Sequence, residues 1–179
     1  MSLYDSIEVF SWFYIRFVEN PGMAFGIEVI DTNILTIFRI LVVGWFGFIV
    51  VKLLKRDFKF GYIVCLSLIL AGALSNIIDG VFYGVLFDHS FGQIASFMPA
   101  EGGYSTFFHG KVVDMLFFPL IETTWPSWMP VWGGQDFIFF RPIFNVADSS
   151  ICVSVFLLFI FYRQSLSASF AKEIDTNDE

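Results

Sequence analysis

Residues 34–54, 60–80 and 142–162 form three almost wholly apolar stretches, each near the roughly 20 residues that a helix needs to cross the hydrocarbon of a bilayer. Such segments leave little choice of structure, because lipid offers no partner to an unpaired backbone N–H or C=O. Composition agrees. The 179 residues are 56% hydrophobic and 20% aromatic but only 15% charged, where a soluble domain averages about 25% charged. Gly44, Gly47, Gly61 and Gly72 fall inside the first two stretches. Glycines there suit close helix packing in lipid. The formal charge of −7 makes nucleic acid an unsuitable partner, since phosphate binding needs a basic face.

The loop "KLLKRDFK" between the first two stretches carries Lys52, Lys55, Arg56 and Lys59. Short basic loops stay cytoplasmic. The first span therefore runs inward and the second outward, residues 81–141 form an extracytoplasmic segment, and the third span returns inward. Residues 163–179 follow as a cytoplasmic tail containing Arg163 and Lys172. Residues 1–33 fall outside, yet Met1–Tyr14 has neither the basic nor the apolar region of a signal peptide. A further span ahead of residue 1 is therefore expected. Alternation in "SIEVFSWFYIRFVEN" reads as strand.

Cys65 and Cys152 lie in apolar runs and read as small buried hydrophobes. No Cys/His cluster suggests a metal, and no metal or organic cofactor is expected. His89 and His109 sit apart in a polar loop. Trp125, Trp128 and Trp132 occupy a turn-rich stretch, as an interfacial belt or a lid over substrate would.

This orientation brings four polar clusters to one membrane boundary, opposite the basic loop. They are "NPGMAFG" (20–26), "SNIIDG" (75–80), "HGKVVDM" (109–115) and "FNVADSS" (144–150). Asn76 and Asp79 are three residues apart, as are Asn145 and Asp148, so each pair shares a helical face. Two carboxylates held close in a water-poor site cannot both ionise cheaply, so the pair shares a proton. The ionised member can deprotonate water while the protonated one polarises a peptide carbonyl. Asp114, in the apolar "VVDMLFF", and Asp148, in the first turns of a helix, are the candidates. Each residue also has a plain structural reading: Asp148 as a helix-start group, Asp79 as a hydrogen-bond hub, Asn20 and Gly22 as a turn. Lys111 reads as a solvated or ion-paired charge, and Arg39 as a cation reaching the interface or a carboxylate.

These residues resemble the lipoprotein signal peptidases, the signal peptidase II family of bacterial inner-membrane aspartyl peptidases. "NPGMAFG" is similar to the family's N-x-G-x-A-F, "SNIIDG" to G-N-x-x-D-R, "GKVVDM" to VVDF and "FNVADSSI" to F-N-x-A-D-S-x-I, in order along residues 20–160. The resemblance implies a membrane all-α bundle of four helices, three of them in this chain, with a small extracytoplasmic β-cradle. It implies removal of the signal peptide from a diacylglyceryl-modified prolipoprotein, just before the lipid-bearing cysteine. Asp114 and Asp148 carry over as the catalytic dyad. Asn20, Asn76 and Asn145 carry over as groups that order it or bind substrate backbone, with Gly22 and Asp79 in the same motifs. The family's first helix, with D-Q-x-x-K, has no counterpart here. Its arginine in G-N-x-x-D-R is Gly80, and Arg141 is a candidate replacement. Beyond substrate and membrane lipid no partner is expected, and the chain is expected to act as a monomer. Two competing classes remain: an ion-conducting subunit, whose carboxylates would be staggered through the membrane, and a lipoprotein-binding factor, which would bind without cleaving.

Overall fold

The computed structural model describes residues 1–21 and 32–174. A hairpin opens the chain, with β1 (Ser6–Phe10) and β2 (Phe13–Asn20) turning at Ser11–Trp12. Two long helices follow, α1 (Thr32–Leu54) and α2 (Phe60–Leu86). The extended segment contains β3 (Val112–Phe117), β4 (Ile121–Thr124), β5 (Asp136–Phe139) and β6 (Ile143–Phe144). The chain ends in α3 (Val146–Phe161) and α4 (Arg163–Ile174).

Strands β1-β2-β3-β6 make one antiparallel sheet, and β4 and β5 pair as a separate hairpin. Among the described residues, α1 and α2 are long and apolar enough to cross a membrane; α3 reaches that standard only together with α4, which turns away from it by 90°. This matches a helical membrane fold carrying a small sheet.

Three boundaries differ from the sequence reading. Residues 142–145 are not helical: Ile143 and Phe144 pair with Phe117 and Leu116 of β3, and Asn145 caps α3. Helix α2 continues to Leu86, past the expected end at Gly80, because "VFYGVL" offers no break. The expected tail after residue 162 begins as α4, whose Leu166 and Phe170 face a cavity shared with α1. Cys65 is buried, but Cys152 is exposed on α3. On a helix facing lipid an apolar side chain has no need of the interior, so that reading of Cys152 is corrected.

The apolar core lies at one end of the bundle, where Val50 and Leu53 of α1, Tyr62, Cys65 and Leu66 of α2 and Leu158 of α3 pack together. Nearer the sheet, α2 and α3 approach closely at Gly72. A Cβ there would lie 2.6 Å from the Ala147 carbonyl oxygen and 2.9 Å from Ile151 Cγ1. Gly72→Val must therefore push α3 outward. Overpacking of this kind is expected to cost about 1–3 kcal/mol, read as a lower unfolding midpoint in detergent. Because Ala147 precedes Asp148, the same change should displace that carboxylate.

Candidate active site

Strand register explains how three distant segments meet. Val18 of β2 lies opposite Asp114 and Asn20 opposite Val112, so Asn20 is diagonal to Asp114 on the same face of the sheet. Phe144 lies opposite Leu116 on the other side of β3, which carries Asn145 to the flank of Asp114. Helix α2 brings Asn76 alongside the start of α3.

The result is a connected network. Asn20 Nδ2 donates to Asp114 Oδ2 at 2.9 Å, and Asn145 Nδ2 donates to Asp114 Oδ1 at 3.0 Å. Asn145 Nδ2 also reaches Asn76 Oδ1 at 3.1 Å, and Asn76 Nδ2 donates to Asp148 Oδ1 at 2.8 Å. Asn145 and Asp148 form a reciprocal capping box: Asp148 N donates to Asn145 Oδ1 at 2.9 Å, and Asn145 N donates to Asp148 Oδ2 at 3.3 Å. The helix-start reading of Asp148 is thus correct as geometry and does not compete with a second use of the carboxylate. The carboxylates of β3 and α3 are joined through Asn145, whose side chain donates to Asp114 and whose backbone N–H donates to Asp148, and through the Asn145–Asn76 amide pair.

Asp114 and Asn145 are 3% and 6% exposed, whereas Asp148 is half-buried. Burial raises the Asp114 pKa above the ordinary value of 3.8; the Asn20 hydrogen bond opposes this, the Asp148 charge adds to it, the Asn145 hydrogen bond opposes it, and the Asp79 charge adds to it.

Asp79 does not join the asparagine-linked network directly. It accepts from Tyr83 and from the Val113 backbone N–H, so it ties α2 to the strand position next to Asp114. Tyr83 was not singled out from the sequence, although its i,i+4 spacing from Asp79 is a usable signal. Lys111 pairs with Glu19 at 2.8 Å, and Glu19 also accepts from Ser90. His109 Nδ1 contacts Thr106 Oγ1 and the Phe107 carbonyl, both in its own loop. Gly22 lies outside the described residues.

The structure leaves Arg141 outside the network. It is exposed at the turn between β5 and β6 and makes no ion pair among the described residues. A different cation lies within electrostatic range of the site: Arg39, on α1, feels the charge of Asp148. Gly80 has its own physical reason. A Cβ there would meet Thr36 Oγ1 of α1 at 3.4 Å, so the position faces α1 and an arginine would start out between the two helices. The tryptophan stretch forms the tip of the β4–β5 hairpin, where Trp125 packs on Phe137 at 4.8 Å and Trp128 is 79% exposed. Among the described residues, no group of three His, Cys, Asp or Glu side chains is arranged to hold a metal ion.

Comparison with known proteins adds to this geometry. A family model described as "Signal peptidase (SPase) II" matches residues 1–163. The chain is 52% identical over 168 residues to the lipoprotein signal peptidase of Porphyromonas gingivalis, covering 93% of this chain and 74% of that protein. It is 32% identical over 160 residues to the lipoprotein signal peptidase of Amoebophilus asiaticus, covering 87% and 64%. In fold it is similar to a bacterial membrane enzyme solved at 2.3 Å, with a TM-score of 0.58 and 24% identity over 94% of this chain and 76% of that one. A second such enzyme, solved at 1.9 Å, gives a TM-score of 0.54 with 26% identity over 89% and 76%.

Proposed function

The chain belongs to the signal peptidase II family, and from that premise we propose that it is an aspartic endopeptidase cutting diacylglyceryl-modified prolipoproteins just before the lipidated cysteine. The observation that carries the proposal is the hydrogen-bonded bridge through Asn145 and Asn76, which links the buried Asp114 carboxylate to the half-buried Asp148 carboxylate.

Asp148, in the first turn of α3, acts as the base. Asp114 holds the shared proton, as its burial favours. A water between them loses a proton to Asp148 as its oxygen attacks the scissile carbonyl, and Asp114 protonates the carbonyl oxygen. The tetrahedral diol then collapses: Asp114 takes back a proton from one hydroxyl, and the C–N bond breaks as the cysteine amine leaves with the proton held by Asp148. Asn20 and Asn76 hold the outer oxygens of the two carboxylates in place. Asp79 holds β3 through Val113.

The reading also fixes a setting. The enzyme sits in the bacterial inner membrane as a multi-pass monomer, with the carboxylates at the extracytoplasmic face and residues 81–141 outside. The sheet and the β4–β5 hairpin serve as a cradle for the substrate backbone, and the acyl chains stay in lipid between helices. The clustering of Asp79, Asp114 and Asp148, close enough for their charges to act on Asp114, favours this reading over an ion relay staggered through the membrane.

The test is cleavage of a diacylglyceryl-modified precursor and of its unmodified counterpart by the purified chain, followed across pH. Cleavage of the lipidated form alone, ending just before its cysteine, is expected. The rate should fall on the alkaline side as Asp114 loses its proton, at a pH above the ordinary carboxylate range. The same elevation has a stability consequence. The contribution from Asp114 protonation is complete below 3.8 and is lost as pH rises through the elevated value. Equal cleavage of both precursors, or an alkaline limb at an ordinary carboxylate pKa, would overturn the assignment.

A further inference from the structure

A second site lies at the opposite end of the bundle, away from the carboxylates. A cavity of about 180 Å³ opens between the last turns of α1, the start of α2 and α4. Its walls include Trp45, Phe46, Leu66 and Phe170, and its rim carries Lys52 and Arg56. The cavity is polarised along its length. Trp45 and Phe46 stand roughly two turns back from Lys52, about 10 Å along the helix at 1.5 Å per residue. One end is therefore aromatic and lies toward the middle of α1, and the other is cationic and lies at its last turn and just beyond.

The polar groups inside the cavity are already satisfied by one another: Tyr62 OH donates to Ser169 Oγ at 3.0 Å, and Ser169 Oγ donates to the Leu166 carbonyl at 2.7 Å. Among the described residues, the rim cations are not neutralised in this way. Lys52 lies over the Phe48 ring at 4.5 Å, and neither Lys52 nor Arg56 pairs with a carboxylate among the described residues. Trp45 and Phe170 are 66% and 62% exposed, although both line the cavity. The ligand that matches this order of groups has an anion at one end and a hydrocarbon chain at the other.

We propose that this cavity is a binding site for an anionic phospholipid of the cytoplasmic leaflet, with its phosphate held by Lys52 and Arg56 and an acyl chain laid against Trp45 and Phe170. Helix α4, turned 90° from α3, forms the third wall. Basic pockets between helix ends on the cytoplasmic side recognise anionic head groups by this combination of charge and apolar depth. The occupant bridges α1 and α4, two elements far apart in sequence.

Trp45 supplies the probe. The full chain in a neutral detergent is titrated with phosphatidylglycerol, and separately with phosphatidylcholine, each brominated on its acyl chains. Quenching that disappears in Trp45→Phe reports the cavity. The expected result is a half-maximal concentration about tenfold lower for phosphatidylglycerol, the scale of one or two interfacial cations. Lys52→Gln with Arg56→Gln should erase that preference. Lys55→Gln with Lys59→Gln, which removes the same charge from the same loop but outside the cavity, should leave it intact. Equal midpoints for the two lipids in the native chain would overturn the proposal. So would equal loss in both double variants, which marks general surface attraction, or displacement by millimolar inorganic phosphate, which marks a free-anion site. Peptidase activity is not the readout, so failure here leaves the peptidase reading untouched.

Discussion

Asp114→Asn and Asp148→Asn, made separately, are each expected to lower cleavage of a lipidated precursor by about a thousandfold or more, the effect of removing one member of a unit that works only as a pair. The double variant should be no worse than either single one, because a site already without its proton shuttle has nothing further to lose. Each amide is nearly the size of the carboxylate it replaces, and α3 keeps Asn145 as its cap, so the fold should persist. Purified variants measured by single-turnover cleavage, with helical content checked alongside, decide the matter. Native turnover in either single variant would end the dyad assignment. Retained binding of the precursor with cleavage lost would separate the peptidase from a factor that only binds.

Asn145→Ala should be the most damaging substitution at a residue that does not itself exchange a proton. It deletes the donor to Asp114 and Asn76 and the acceptor for the Asp148 amide. Loss of the cap costs about 0.5–2 kcal/mol, and the misplaced carboxylates should slow cleavage by about a hundredfold. Asn145→Ser separates the two effects. A serine still caps the helix but cannot span to Asp114, so the unfolding midpoint should recover while turnover stays low. Recovery of both together would mean that the residue serves the helix alone.

The contents of this site were legible in the sequence because polar residues stand out against apolar surroundings. Asn76, Asp114, Asn145 and Asp148 each interrupt a greasy run, Asn20 opens a turn, and the expected topology gathers all five on one side. The elements around them were less legible, for reasons of physics. Ile143 and Phe144 are as apolar as the helix they precede, and only pairing with β3 makes them strand. Helices apolar on every side carry no stripe to say which face turns inward, so the exposure of Cys152 could not be read from its neighbours. The approach of Arg39 to the charge of Asp148 spans more than a hundred residues of sequence and leaves no local mark. The sequence of α4, "RQSLSASFAKEI", is too polar to read as membrane structure until α1 and α2 provide a surface for Leu166 and Phe170.

The brevity of α3 has a consequence for the surrounding bilayer. Its 16 residues rise about 24 Å, less than the roughly 30 Å of hydrocarbon that a spanning helix meets. The 23 residues of α1 exceed that span. A bilayer spanned by α3 would have to thin beside it, and one spanned by α1 would not. Such thinning would fall on the side of the bundle that carries Asp148.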